Sequence, residues 1–184
     1  MSVARPAAFL DRDGVLNIDH GYVHRLGELD IVTGASEAVR LLNEAGYLVI
    51  VITNQSGVAR GLYGEEDVRR FNEELARRLA LQGARIDAFY YCPHHPNGSV
   101  APYAITCDCR KPKPGLLDNA AKDFAIDRSR SFLIGDKDSD IDAAGAFGIK
   151  GVRFDGKVQS LVDVARATLR ASEAGATYRP PSQR

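Results

Sequence analysis

Two groups of aspartates in this chain supply the carboxylate oxygens that bind a hard cation. Asp11 and Asp13 follow the apolar run Ala7 to Leu10 and point to the same side if that run is a strand. A second group alternates along the chain: Asp136, Asp138, Asp140 and Asp142. Two carboxylate groups facing one crevice repel each other unless a cation such as Mg2+ lies between them. An Asx turn and a helix N-cap would explain the same residues without a metal.

A hydroxyl and a lysine add the remaining parts of a phosphoryl-transfer site. Thr53 directly follows the apolar run Leu48 to Ile52, and Lys111 lies in a Pro-containing stretch. Hydrogen-bond donors, a fixed positive charge and a divalent cation stabilise the charge that develops on the oxygens of a transferring phosphoryl group. These residue types therefore predict chemistry on a phosphate ester.

Three cysteines and two adjacent histidines share one irregular stretch. Cys92 and His94 form a Cys-x-His pair, and Cys107 and Cys109 form a Cys-x-Cys pair. Three thiolates and one imidazole suit a closed, tetrahedral, structural zinc site, whereas buried free cysteines are the metal-free interpretation. His95 competes for the fourth position, but spacing favours His94, because a pair separated by one residue opens more easily around an ion.

Short apolar runs alternate with amphipathic stretches, which predicts a mainly parallel sheet with helices on both faces. Glu65 to Leu81 has apolar residues at spacings of three and four and reads as a helix. The stretch of residues 92–113 has neither the helical nor the strand period of apolar residues. An irregular loop of that length is unusual in a compact domain unless a further interaction holds it in place. The predicted strands lie at residues 7–10, 48–52, 88–91, 131–134 and 151–154. Ligands of such sheets bind beyond the carboxyl ends of the strands, where the polar motifs fall.

Length and composition exclude several classes of protein. The chain has 184 residues, which predicts one domain over residues 1–170 and a flexible tail over residues 171–184. Lys and Arg total 24, as do Asp and Glu, so no basic excess indicates a nucleic-acid partner. No apolar run reaches the roughly 18 residues of a membrane helix. An odd number of cysteines and the lack of a secretory segment predict a cytoplasmic protein.

The order DxDG, strand-end threonine, lysine and GDxxxD resembles the haloacid dehalogenase superfamily of aspartate-nucleophile phosphatases. Within it, residues 9–154 are similar to the heptose bisphosphate phosphatases. The segments that carry this resemblance are DRDGVLN, DHGYV, TNQSGVARGLY, CPHH, CDCRKPKPG and GDKDSD. The resemblance implies a Rossmann-like α/β domain without a large cap domain and with a zinc-stabilised loop over residues 92–109.

The resemblance also implies residue roles. Asp11 is then the nucleophile that forms an aspartyl-phosphate, and Asp13 the acid and base for the leaving oxygen and the attacking water. Thr53 and Lys111 hold the phosphoryl group. Catalytic Mg2+ is bound by Asp11, the Asp13 backbone and Asp136, with Asp140 ordering the surroundings. Structural Zn2+ is bound by the following residues: Cys92, His94, Cys107 and Cys109.

The substrate implied is a small sugar bisphosphate that loses its 7-phosphate. For the oligomeric state, which the sequence does not indicate, a monomer is the default expectation. Arg110 has the bidentate fork that suits the second, non-reacting phosphate. Lys137 either contacts substrate or balances the acidic group. The other residues expected to bind substrate are Asp19, His20, Gly21, Tyr22, Asn54, Gln55 and Ser56. A histidinol-phosphate phosphatase is the nearest alternative. A third alternative is a phospho-accepting receiver domain, which is a binding module. In receiver domains the phosphorylated aspartate follows a strand in the middle of the chain, whereas Asp11 follows the first predicted strand.

Overall fold

A single parallel sheet of five strands forms the centre of the protein. The computed structural model describes residues 3–177, with side chains up to residue 174. The strands are β1 (Ala7–Leu10), β2 (Leu48–Asn54), β3 (Ala88–Cys92), β4 (Phe132–Gly135) and β5 (Lys150–Arg153), in the order β3-β2-β1-β4-β5. Every neighbouring pair is parallel. The α/β fold with a parallel sheet is therefore confirmed.

Helices cover both faces of this sheet because alternate residues of each strand point to opposite sides. Phe9 and Ile50 pack against one set of helices, and Leu10 and Val51 against the other. The first face carries α3 (Gly115–Asp123) and α4 (Asp138–Phe147), and the second carries α1 (Ala35–Glu44), α2 (Glu65–Ala80) and α5 (Leu161–Thr177). All the residues of β1 are fully buried, so the strand that precedes Asp11 is held between two apolar layers.

No large inserted domain interrupts the sheet within the described residues. The segment between β1 and β2 contains a short 3-10 helix, Leu26–Glu28, and α1. The segment between β2 and β3 contains α2, which ends one residue before the predicted bound. Residues 93–114, after β3, form turns and bends without a helix or strand. The described residues therefore form the expected fold without a large cap domain and with one long irregular loop.

The last helix overlaps the predicted tail. The tail is predicted from residue 171, and α5 runs to Thr177, with Leu161, Ala165 and Leu169 of its earlier part packed in the core. Residues 178–184, the rest of the predicted tail, lie outside the described residues. Among the helices of residues 3–177, none is both long and apolar enough to cross a membrane.

Candidate active site

The ends of three adjacent strands bring the predicted catalytic side chains together. Asp11 follows β1, Thr53 lies near the end of β2, and Asp136 follows β4. Since β1 lies between β2 and β4, their carboxyl ends share one edge of the sheet. Gly14, with a φ of +86°, allows the close approach, because a Cβ there would lie 2.4 Å from Asp136 Oδ2.

Lys111 forms the positive centre of this edge. Its Nζ lies 2.9 Å from Asp11 Oδ1 and 2.5 Å from Asp140 Oδ1, and it donates to the Ile52 carbonyl at 3.1 Å. Burial lowers the pKa of Lys111, but the charges of Asp11 and Asp140 outweigh burial and raise the pKa above its ordinary value. Burial raises the pKa of Asp11 to about 7, against the opposing charge of Lys111. The ammonium group therefore stays charged beside a carboxyl that is costly to ionise.

Asp11, Asp136 and Asp140 fit a divalent cation. One carboxylate oxygen from each lies within 4.8 Å of the others. Asp136 Oδ1 is buried and has no hydrogen-bond partner among the described residues, which makes it an orphaned acceptor of the kind that a cation satisfies. Carboxylate oxygens are ligands that Mg2+ prefers. Asp140 is already engaged, since its Oδ2 accepts from the Lys137 backbone N–H at 3.0 Å.

The Asp13 side chain is turned toward donors rather than toward this carboxylate cluster. Arg12 donates through Nε to Asp13 Oδ1 at 3.0 Å and through Nη2 to Oδ2 at 3.1 Å. Asn17 and Gln55 add one hydrogen bond each, at 3.0 and 2.9 Å. Burial raises the pKa of Asp13, but Arg12 and these donors outweigh it and lower the pKa below its ordinary value. The group expected to act as an acid is therefore held in its ionised form.

Two residues that we expected to bind substrate make hydrogen bonds inside the protein instead. Asn54 belongs to β2, and its amide brackets the backbone of Lys111, accepting from the Lys111 N–H and donating to its carbonyl, both at 3.1 Å. Gln55 is buried and donates to Asp13 and to Thr53 Oγ1 at 2.8 Å. Their polar atoms bind Lys111, Asp13 and Thr53, so direct substrate contact would require these bonds to break and stays a prediction.

The expected substrate loop lies at the edge of the site. The Gly21 N–H donates to Asp19 Oδ1 at 2.9 Å, which closes an Asx turn. Lys137 Nζ lies 3.3 Å from Asp19 Oδ2, so this lysine connects the loop to the end of β4. His20 pairs with Asp30 at 2.8 Å, and the Tyr22 side chain is exposed. Lys137 therefore pairs with an acidic side chain of the loop, and both of its expected roles stay predictions.

Arg110 and Ser56 are half-buried near the same edge. Arg110 Nη1 donates to the His94 carbonyl at 3.4 Å, which ties this guanidinium to the cysteine-rich loop. Ser56 follows Gln55, and its carbonyl accepts from the Arg60 N–H at 3.1 Å. A guanidinium has five N–H donors, so Arg110 keeps donors with which it can bind an anion.

The cysteine-rich loop converges on a second metal-binding group. The Sγ atoms of Cys92, Cys107 and Cys109 lie 3.1 to 3.5 Å apart, and His94 Nδ1 lies 3.3 Å from Cys109 Sγ. Thiolates about 2.3 Å from a tetrahedral zinc ion are about 3.8 Å apart, so small adjustments would admit the ion. A hydrogen bond from Cys92 lowers the pKa of Cys109 to about 5, and the same contact together with burial raises the pKa of Cys92 above its ordinary value.

His95 faces away from this cluster. Its Nδ1 accepts from the Asn97 N–H at 3.1 Å, and its Nε2 lies 3.3 Å from Arg60 Nη2. We therefore predict that Cys107→Ser lowers the zinc content of the purified protein well below one ion per chain, whereas His95→Ala keeps it. Elemental analysis of both variants and the wild type checks this. Full zinc in Cys107→Ser, or loss in His95→Ala, contradicts the ligand set.

Arg12 is a buried side chain beside Asp13 that the sequence analysis missed. It is fully buried, its guanidinium lies 4.4 Å from the centre of the Phe71 ring, and it also donates to Asn72 Oδ1 at 3.1 Å and to the Val23 carbonyl at 3.0 Å. The signal was present in the alternation of DRD after a strand. If both aspartates face one side, the arginine between them faces the interior and needs acceptors there.

Comparisons with known proteins agree with this geometry. A family model described as HAD-hydrolase-like matches residues 108–175. A D-glycero-β-D-manno-heptose-1,7-bisphosphate 7-phosphatase of Rhodopseudomonas palustris is 47% identical over 171 residues, which cover 90% of this chain and 95% of the relative. An enzyme of the same name from Escherichia coli K12 is 44% identical over 146 residues, which cover 79% of this chain and 76% of the relative.

A solved structure is similar over nearly its whole length. The D,D-heptose 1,7-bisphosphate phosphatase of B. bronchiseptica, crystallised with magnesium and phosphate, matches with a TM-score of 0.78 and 29% identity. The match covers 90% of this chain and 99% of that one. The chain is therefore similar in sequence to the named relatives and similar in fold to this solved structure.

Proposed function

The chain belongs to the D-glycero-β-D-manno-heptose-1,7-bisphosphate 7-phosphatase family, and on that premise we propose that it hydrolyses the 7-phosphate of this sugar bisphosphate through an aspartyl-phosphate. The observation that supports the reaction type is the meeting of Asp11, Asp136 and Asp140 at one edge of the sheet, with Lys111 between Asp11 and Asp140. The proposed substrate is supported by the names of the relatives, which specify the β anomer.

In the first displacement, a carboxylate oxygen of Asp11 attacks the phosphorus atom of the 7-phosphate. The bond from phosphorus to the C7 oxygen breaks, and Asp13 gives that oxygen a proton. Thr53 Oγ1 and Lys111 Nζ hold the phosphoryl oxygens. Asp13 must first take up a proton on Oδ1, which gives up its hydrogen bonds from Arg12 and Asn17, because these donors favour the ionised form.

In the second displacement, water attacks the phosphorus atom of the aspartyl-phosphate. Asp13 takes a proton from that water. It does so in its ionised form, which is the form that its hydrogen-bond donors favour. The bond to Asp11 breaks, inorganic phosphate leaves and the Asp11 carboxylate is restored. Splitting the hydrolysis into two displacements makes each step easier than a direct one.

Asp11 and Asp136 would hold Mg2+ together with the Asp13 backbone carbonyl, and Asp140 stands beside them. Bound there, Mg2+ supplies positive charge that stabilises the phosphoryl oxygens during transfer. Cys92, His94, Cys107 and Cys109 would hold structural Zn2+. Because Arg110 and Lys111 directly follow Cys109 in the chain, an ordered loop supports both side chains.

A panel of phosphate esters tests the substrate. We expect the highest kcat/KM for the β anomer of heptose 1,7-bisphosphate, then the α anomer, with fructose 1,6-bisphosphate and histidinol phosphate far lower. Phosphorus NMR of the product identifies the carbon that loses its phosphate, which we expect to be carbon 7. Histidinol-phosphate phosphatase, the alternative considered from sequence, is not favoured, because the relatives are named for the heptose substrate. Faster turnover of histidinol phosphate would contradict the proposal.

Arg110→Ala separates the two phosphates of the substrate. If Arg110 binds the non-reacting phosphate, kcat/KM falls for the bisphosphate by roughly the 1.5–3 kcal/mol of a charged hydrogen bond, about 10- to 100-fold. The same variant then retains most of its activity toward heptose 7-phosphate, which lacks the second phosphate. Steady-state kinetics on both substrates checks this. An equal fractional loss on both would place Arg110 at the reacting phosphate.

A further inference from the structure

Tyr63 and Gln55 form a short chain of hydrogen bonds that ends on two side chains of the proposed catalytic centre. Tyr63 Oη donates to Gln55 Oε1 at 2.7 Å. Gln55 Nε2 then donates to Asp13 Oδ2 at 2.9 Å and to Thr53 Oγ1 at 2.8 Å. Gln55 is 2% exposed, so bulk water does not compete for these contacts.

This chain has only one possible direction. The Asp13 carboxylate accepts, and the bond to Thr53 is made to its oxygen, so the amide must present Nε2 to both. The Tyr63 hydroxyl donates to the opposite end of the amide and fixes that orientation. Burial raises the pKa of Tyr63 to about 12, so the hydroxyl keeps the proton that it donates.

The Tyr63 ring is itself held firmly. It stacks on the His24 ring, with 4.6 Å between the ring centres. It also packs against Gly57 so closely that a Cβ there would lie 2.1 Å from Tyr63 Cε1. The loop after β2 therefore fixes the hydroxyl before any substrate arrives.

We propose that Gln55, oriented by Tyr63, is a positioning residue that aligns Asp13 for proton transfer to the leaving oxygen. Its donation to Asp13 Oδ2 fixes one side of the carboxyl group that must protonate the sugar oxygen. This inference rests on the proposed function, since it takes Asp13 as the acid.

The leaving group provides a test that a purely structural role would not pass. A sugar alkoxide needs a proton in order to leave, whereas the nitrophenolate of p-nitrophenyl phosphate leaves without one. Tyr63→Phe frees the amide to rotate, which costs about one neutral hydrogen bond. We expect kcat/KM for heptose 1,7-bisphosphate to fall roughly five- to tenfold, since about 1 kcal/mol corresponds to such a factor. The loss on p-nitrophenyl phosphate should be much smaller.

Three further variants sharpen the result. Tyr90→Phe, the matched control, removes a hydroxyl that donates to Asp123 at 2.6 Å, and should leave both activities unchanged. Gln55→Met removes the amide, and adding Tyr63→Phe to it should cost nothing more, because Tyr63 acts through Gln55. Equal losses on the two substrates in Tyr63→Phe, or additive losses in the double variant, would overturn the proposal.

Asp13→Asn distinguishes failure of the inference from failure of the proposed function. If Asp13 is the acid, this variant loses far more activity on the sugar substrate than on p-nitrophenyl phosphate. Selective loss in Asp13→Asn without selective loss in Tyr63→Phe refutes only the positioning role. Equal losses on both substrates in Asp13→Asn would refute the acid assignment, and the inference with it.

Discussion

Asp11→Asn abolishes turnover of heptose 1,7-bisphosphate while the protein stays folded. An amide of nearly the same shape cannot attack phosphorus, so the loss should be on the order of 10⁴- to 10⁶-fold, as for other catalytic nucleophiles. Stability should not suffer, because burial raises the pKa of Asp11 to about 7 and the buried carboxylate is costly to ionise. Phosphate release and urea denaturation measure the two effects.

Asp11→Ala is the control for this variant. Slow deamidation of the introduced asparagine would restore the wild-type aspartate, and alanine cannot do so. Both variants should retain the zinc content of the wild type, since the cysteine-rich group does not include Asp11. Turnover above about one hundredth of the wild-type rate in Asp11→Ala, well outside the loss typical of a nucleophile, would exclude Asp11 from that role.

Lys111→Met should lower stability by about 3–5 kcal/mol at pH 8, which is the usual cost of removing one partner of a buried ion pair. The change leaves Asp11 and Asp140 without the ammonium group that lies between them. The deficit should be smaller at pH 5.5. The pKa of Asp11 is about 7 in the folded protein, against 3.8 for the ordinary group. Between these values the folded state binds more protons than the unfolded state, so stability falls as pH rises.

The fall in stability with rising pH is larger in Lys111→Met than in the wild type, because the variant lacks the ammonium group that lowers the pKa of Asp11. Urea denaturation without Mg2+ at the two pH values measures it. Lys113→Met is the matched control, since Lys113 is half exposed and pairs with the exposed Asp108. Its stability should change by no more than about 0.5 kcal/mol. A loss of stability as small as this in Lys111→Met, or a loss that does not depend on pH, would contradict the claim that Lys111 stabilises the buried carboxylates.

The sequence predicted the elements and side chains that depend on local pattern. The run of residues 7–10 is the strand that precedes Asp11, and Glu65 begins the predicted helix. Asp11, Thr53 and Asp136 meet because parallel strands end at one edge of a sheet, which is a property of the fold class. The group of Cys92, His94, Cys107 and Cys109 also forms, since it lies within one loop.

What the sequence did not predict depends on contacts between distant segments. Asn54 and Gln55 look like substrate ligands in the string TNQSG, because nothing local shows that Lys111 and Asp13 lie beside them. Tyr63 gave no signal, since its partner is the amide of Gln55 and its ring contacts are with Gly57 and His24. Periodicity identifies which face a side chain occupies, but not which polar group it meets there.

A trapped intermediate tests the proposed mechanism most directly. Asp13→Asn should slow the hydrolysis of the aspartyl-phosphate, because it removes the group that takes a proton from water. Acid quenching during turnover of heptose bisphosphate labelled with a heavy isotope in the 7-phosphate, followed by peptide mass spectrometry, locates any phosphoryl group on the protein. We expect the labelled phosphoryl group on Asp11. A labelled phosphoryl group on another residue, or one on Asp11 that derives from the 1-phosphate, would contradict the mechanism.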